Sequence, residues 1–232
     1  MQSRLALVPA IALVALVSPM ANAATKPAKV APSCNTITDP AGDTFAVRSQ
    51  DQQGAYGPQE DGLDVTSGDL ASDGKVVTAV VRIAKLSRSI ALSPTGMSAG
   101  IEFTIGGSDT IVRLQAVLVT GQADRFEVTS IAADAVPNTP STYVGAATGV
   151  VDLPKNEVRI SAPVALLAPF GPVTKGTKLF PGDAQSATTG RATPVSTTTP
   201  GAPASTRGAF ADVAIGGKPV VVGAPSCVVP GK

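Results

Sequence analysis

The chain has 232 residues, 44% hydrophobic and 15% charged, with 23 Gly, 20 Pro, two Cys, six Phe, two Tyr and neither His nor Trp. Without imidazole, Ser-His-Asp and Cys-His nucleophile systems, His-ligated zinc and His-ligated haem are all excluded. Lys and Arg number 18 against 17 Asp and Glu, a balance that leaves no electrostatic footprint for nucleic acid or anionic lipid.

Residues 1–23 read as a secretory signal peptide. Arg4 supplies the basic start, Leu5 to Val17 an apolar run, Pro19 a helix break, and Ala21-Asn22-Ala23 the small residues of a cleavage site. The run is about 13 residues long, whereas a spanning helix needs roughly 20. No later stretch qualifies as a membrane span, so the mature chain is expected to be secreted, extracellular or at the cell surface. Residues 24–232 are expected to fold as a single domain.

Cys34 and Cys227 each end an Ala-Pro-Ser-Cys tetrapeptide near opposite ends of that domain. In an oxidising compartment two such cysteines most simply pair, tying the first strand to the last.

Between them, period-2 alternation dominates. Val77, Ala79, Val81 and Ile83 share one face of a strand, with Thr78 and Arg82 on the other. Ile101, Phe103 and Ile105 alternate with Glu102 and Thr104, and Val112, Leu114, Ala116 and Leu118 with Arg113 and Gln115. Each pattern describes a strand with one face on a core and one in water. Asp73-Gly74, Gly106-Gly107, Gly121 to Asp124 and Pro154-Lys155-Asn156 supply the turns between strands. A short helical turn is expected at Pro163 to Ala168. Residues 182–207 are rich in Ser, Thr, Ala, Gly and Pro, and read as a disordered loop. Gly208–Ile215 and Lys218–Val222 are expected as closing strands. The fold class is all-β: an antiparallel β-sandwich of jelly-roll type, closed by an N-to-C-terminal disulfide.

The most specific local chemistry is acidic. Asp39 and Asp43 flank Pro40-Ala41-Gly42, and Asp61-Gly62-Leu63-Asp64 follows a polar loop. Calcium takes six to eight oxygen ligands, which carboxylates on Gly-permitted turns provide. Asp39, Asp43, Asp61 and Asp64 are therefore candidate calcium ligands; the competing reading is that these side chains only bond to the backbone of their own turns. Tyr56 and Tyr143, both expected in loops, are candidate ligand-binding residues for an extracellular glycan or protein.

Glu102 and Glu127 are the carboxylates that a His-free hydrolase of envelope polysaccharide would pair, against the alternative of a solvated strand face. Arg82, Arg113 and Arg159 are expected to pair across strands with Glu102 or Glu157. No phosphate loop, dinucleotide fingerprint or Gly-x-Ser-x-Gly elbow is present.

The runs Ile37-Thr38-Asp39-Pro40-Ala41-Gly42-Asp43 and Leu63-Asp64-Val65-Thr66-Ser67-Gly68-Asp69-Leu70, followed by Gly74–Lys85, resemble secreted actinobacterial β-sandwich proteins similar to the DOMON and family 9 carbohydrate-binding-module group. The likeness covers roughly residues 35 to 86 and extends to later strands only in rhythm. It implies a jelly-roll sandwich with calcium held by Asp39, Asp43 or Asp64. The sugar-stacking Trp and the haem-binding His of such relatives are absent. The expected function is a secreted or cell-surface, non-enzymatic binding or structural module, monomeric and stabilised by calcium.

Overall fold

The computed structural model describes residues 32, 34–39, 41–42, 61–89, 96–132, 134, 141–182, 188–194, 212–215 and 217–232. Residues 1–23, Asp43 and Tyr56 lie outside the described residues.

Two antiparallel sheets face each other. The five-stranded sheet contains β1 (Ile37–Thr38), β2 (Val65–Ser72), β3 (Val76–Ile83), β8 (Thr148–Asp152) and β9 (Glu157–Pro163), in the order β1-β2-β3-β9-β8. The larger sheet runs β12-β11-β4-β5-β6-β7, from β4 (Gly96–Ile105), β5 (Thr110–Val119), β6 (Arg125–Ala132), β7 (Thr142–Ala146), β11 (Thr188–Pro194) and β12 (Asp212–Ile215). Beside β11, the other end of β4 pairs with β10 (Lys178–Pro181), which also pairs with β13 (Val220–Val221).

The alternating residues become the core. Val77, Ala79, Val81 and Ile83 of β3 and Val158, Ile160 and Ala162 of β9 pack against Ile101, Phe103 and Ile105 of β4 and Val112, Leu114 and Ala116 of β5. Each fully buried branched or aromatic side chain here contributes about 1.5–3 kcal/mol. Gly106 and Gly107 both take positive φ, 60° and 83°, in a tight turn closed by Ser108 N donating to Ile105 O at 3.0 Å, within the link from β4 to β5; glycine adopts that backbone without a Cβ penalty. The expected helical turn is a 3-10 segment, Val164–Phe170, that buries Leu167.

Three strands depart from the sequence reading. Tyr143 belongs to edge strand β7 rather than to a loop. β10 carries no alternation long enough to read. Thr188–Pro194, inside the segment read as a loop, form β11 between β4 and β12; such pairing rests on backbone hydrogen bonds, which composition does not reveal. Residues 183–187 and 195–207 of that segment lie outside the described residues.

Cys34 and Cys227 are bridged across 193 positions, with Cα atoms 5.2 Å apart. The bridge also fixes residues 223–232 as a strap over the outer face of the five-stranded sheet. Gly223 N donates to Ser72 O at 2.8 Å and Gly231 N to Thr78 Oγ1 at 2.9 Å. Arg159 Nη1 donates to Lys232 O at 2.7 Å. Beneath the strap, Val228 joins Ala71 and Val80 in a second small core. The outer face of β3, expected to be wet, is thus covered at Thr78 and Val80, both fully buried.

Candidate functional site

Asp64 stands where β1, β2 and the end of β3 meet. The chain enters β2 through a turn at 61–64, stitched to β3: Lys85 N donates to Asp61 O at 3.0 Å and Ala84 N to Asp64 O at 2.7 Å. On the other side, Asp39 N donates to Thr66 O at 3.2 Å and extends the β1–β2 ladder by one residue. The chain then turns back at Ala41-Gly42, and Gly42 N donates to Asp64 Oδ2 at 2.8 Å. Leu63 and Val65 turn into the core, and Asp64 between them is buried beneath the 39–42 turn that folds over it.

The result is a carboxylate only 1% exposed under the 39–42 turn. Among the described residues nothing donates a hydrogen bond to Asp64 Oδ1. Burying a carboxylate oxygen without a partner costs several kcal/mol unless a compensating charge or donor meets it. Asp39 lies half-buried in the same turn, while Asp61 is exposed and lends its carbonyl to the backbone. The fold therefore brings Asp39 and Asp64 to one turn. No group of three or more His, Cys, Asp or Glu assembles among the described residues. Calcium accepts carboxylate, carbonyl and water oxygens together, and the buried oxygen of Asp64 has the chemistry of such a ligand.

Asp69, five residues on, belongs elsewhere. It is 1% exposed, accepts Thr36 N at 3.1 Å and pairs with Arg82 at 2.8 Å, which anchors the chain beside Cys34.

The two carboxylates suited to hydrolysis share the outer face of the larger sheet, each engaged. Glu102 takes Arg113 Nε at 2.8 Å together with Arg113 Nη2. Gln115 Nε2 donates to Glu127 Oε1 at 2.5 Å. Arg113–Glu102 and Arg82–Glu157 form across strands as expected, whereas Arg159 pairs with Glu157 two residues away on its own strand, β9. Tyr143, 61% exposed, stands opposite Thr129 at the margin of the same face.

A feature with no local sequence signal is an open groove of about 390 Å³ beside the strap, lined by Val150, Asp152, Lys155, Arg159, Val229 and Lys232 among others. Topology assembles it from β8, β9 and the strap. Lys155 and Asp152 meet there at 2.8 Å. The hydrogen bond from Lys155 lowers the Asp152 carboxyl below its ordinary range, and the same contact raises Lys155.

No protein-family model, curated protein or solved structure matches this chain. Among the described residues no helix is long and apolar enough to cross a membrane.

Proposed function

We propose that this chain is a secreted or cell-surface module, a jelly-roll sandwich that binds or scaffolds extracellular material without catalysis and is stabilised by calcium at the Asp39–Asp64 turn. One observation carries the ion: Asp64 Oδ1, buried beneath the turn and accepting no hydrogen bond among the described residues. A hard cation is the partner that such an oxygen lacks. The disulfide supports an oxidising setting. The engagement of Glu102 by Arg113 and of Glu127 by Gln115 supports binding over hydrolysis, because a catalytic pair needs one carboxyl free to give a proton and one free to attack or activate water. The material bound is a glycan or protein, met by exposed side chains such as Tyr143 rather than by a deep cavity.

Thermal unfolding with the disulfide intact, in excess calcium and in EDTA, tests the ion. A ligand at a hundred times its dissociation constant adds about 2.7 kcal/mol, which moves the midpoint of a chain this size by roughly 5 to 10 °C. Coincident curves would sink the calcium reading and leave the acidic segment as turn chemistry.

A further inference from the structure

Among the described residues no strand pairs with the outer edge of β8, which follows on from Ala147, whose N donates to Phe126 O of β6 at 2.8 Å, and its hydrogen-bonding groups point outward in a self-matching pattern. In the β3–β9 pair, Ile83 N donates to Asn156 O at 3.0 Å and Val164 N to Lys75 O at 2.8 Å. With the register Val76↔Pro163 to Arg82↔Glu157, the alternation of an antiparallel ladder turns Val158, Ile160 and Ala162 toward β3, and Glu157, Arg159 and Ser161 toward β8. The β8 partners of those three are Asp152, Val150 and Thr148. Gly149 and Val151 therefore direct their N–H and C=O groups away from the sheet.

Natural sandwiches blunt such edges with Pro, Lys, bulges or very short strands. Among the described strands the other sheet ends follow that rule. β1 has two residues, the ladder of β7 on β6 shifts at Val128/Thr129, and β12 pairs across a shift at Thr188/Gly190. β8 has the sequence Thr-Gly-Val-Val-Asp, pairs without a register shift, and shows Val150 at 60% exposure.

We propose that β8 is a dimerisation edge, pairing antiparallel with β8 of a second copy about a two-fold axis at Val150. Opposing Gly149 to Val151 of the other copy, and Val151 to its Gly149, uses every outward group of the two residues. Val150 then faces its own counterpart as the close, non-hydrogen-bonded pair at the centre. Two neighbouring features favour a second copy as the occupant. Val229, 53% exposed, extends the apolar surface beside Val150. Asp152 and Glu157 beside Lys155, Arg159 and Lys232 give the flank both signs of charge, which matches another copy of itself better than a strongly acidic or basic peptide. The dimer replaces the monomer expected from the sequence and does not depend on the ion at Asp64.

Sedimentation velocity of the purified protein over a wide concentration range reads the mass, and hydrogen exchange reads the Gly149 and Val151 amides. The dimer gives twice the chain mass at high concentration, with protection of both amides rising as it forms. Val150→Lys halves that mass by setting like charges face to face, and its fold is checked by near-ultraviolet circular dichroism. A wild-type protein that stays monomeric throughout, or a Val150→Lys variant that dimerises unchanged, overturns the proposal. Should Val150→Lys fail to fold, the wild-type exchange decides: protection of Gly149 and Val151 that ignores concentration is equally fatal.

Discussion

The Gly231 amide donates to Thr78 Oγ1 at 2.9 Å, across 153 positions of sequence, and the same hydroxyl meets Ser161 Oγ at 2.8 Å. Thr78 has no exposed surface. A hydroxyl pointing to the outer face of a sandwich would ordinarily be hydrated; here the strap takes the place of water. Thr78→Val keeps the shape and strands both partners, at a cost of about 1–3 kcal/mol in a denaturant titration. The Gly231 amide is expected to lose protection from exchange before the core strands do.

The Cys34–Cys227 bridge holds the strap at its middle. In the chain-entropy model, closing a loop with a sequence separation of 193 stabilises by about 5 kcal/mol. A Cys34→Ser, Cys227→Ser double variant is therefore expected to lose up to about that much in guanidinium unfolding. Exchange at Gly223 and Gly231 should rise more than at Ile160.

Asp69 ties the segment after Cys34 to the sheet. Asp69→Ala leaves the Arg82 guanidinium and the Thr36 amide without their shared carboxylate, costing about 3 kcal/mol because the site is largely buried. Asp69→Asn restores acceptance from Thr36 but not the charge, and is expected to fall between wild type and Ala in the same titration.

Asp73 gives a pH signature. Its Oδ1 accepts from Val76 N at 2.9 Å and Lys75 N at 2.8 Å, and these backbone bonds hold the carboxyl below its ordinary value. A depressed folded pKa contributes stability that is fully present above the unfolded value and is lost as pH falls through the folded one. Asp73→Asn is expected to flatten the acid side of the stability–pH curve below the usual aspartate range and to change the slope near neutrality little. A variant curve parallel to wild type in acid would contradict this.

The sheets were legible where local rules were strong. Period-2 runs marked Val77–Ile83, Ile101–Ile105 and Val112–Leu118, and Gly106-Gly107 marked the hairpin between the last two, because both faces and the turn follow from neighbours in sequence. β7, β10 and β11 were not, since Thr142–Ala146 and Lys178–Pro181 are short and small or Pro-terminated, and Thr188–Pro194 lies in a polar tract. Their partners are fixed by backbone pairing at long range. The acidic segment was legible as a set of carboxylates on turns, of which Asp39 and Asp64 come to one turn and Asp61 stays exposed. That Asp64 would be buried between Leu63 and Val65 was not, because alternation with those two core residues points it away from the core, and the turn at 39–42, distant in sequence, is what covers it. The strap was half legible: the cysteines announced a bridge, but nothing local in Val228 or Gly231 announced the face they cover.

Calcium bound per chain, measured by equilibrium dialysis on wild type and on Asp64→Asn, tests the ion at the Asp39–Asp64 turn most directly. Asn keeps the shape of Asp64 and an acceptor for Gly42 N while removing the charge, and circular dichroism confirms that the variant folds. A calcium ion at this turn gives a single saturable ion per wild-type chain and its loss in Asp64→Asn. No saturable binding by wild type, or equal binding by the variant, would contradict it.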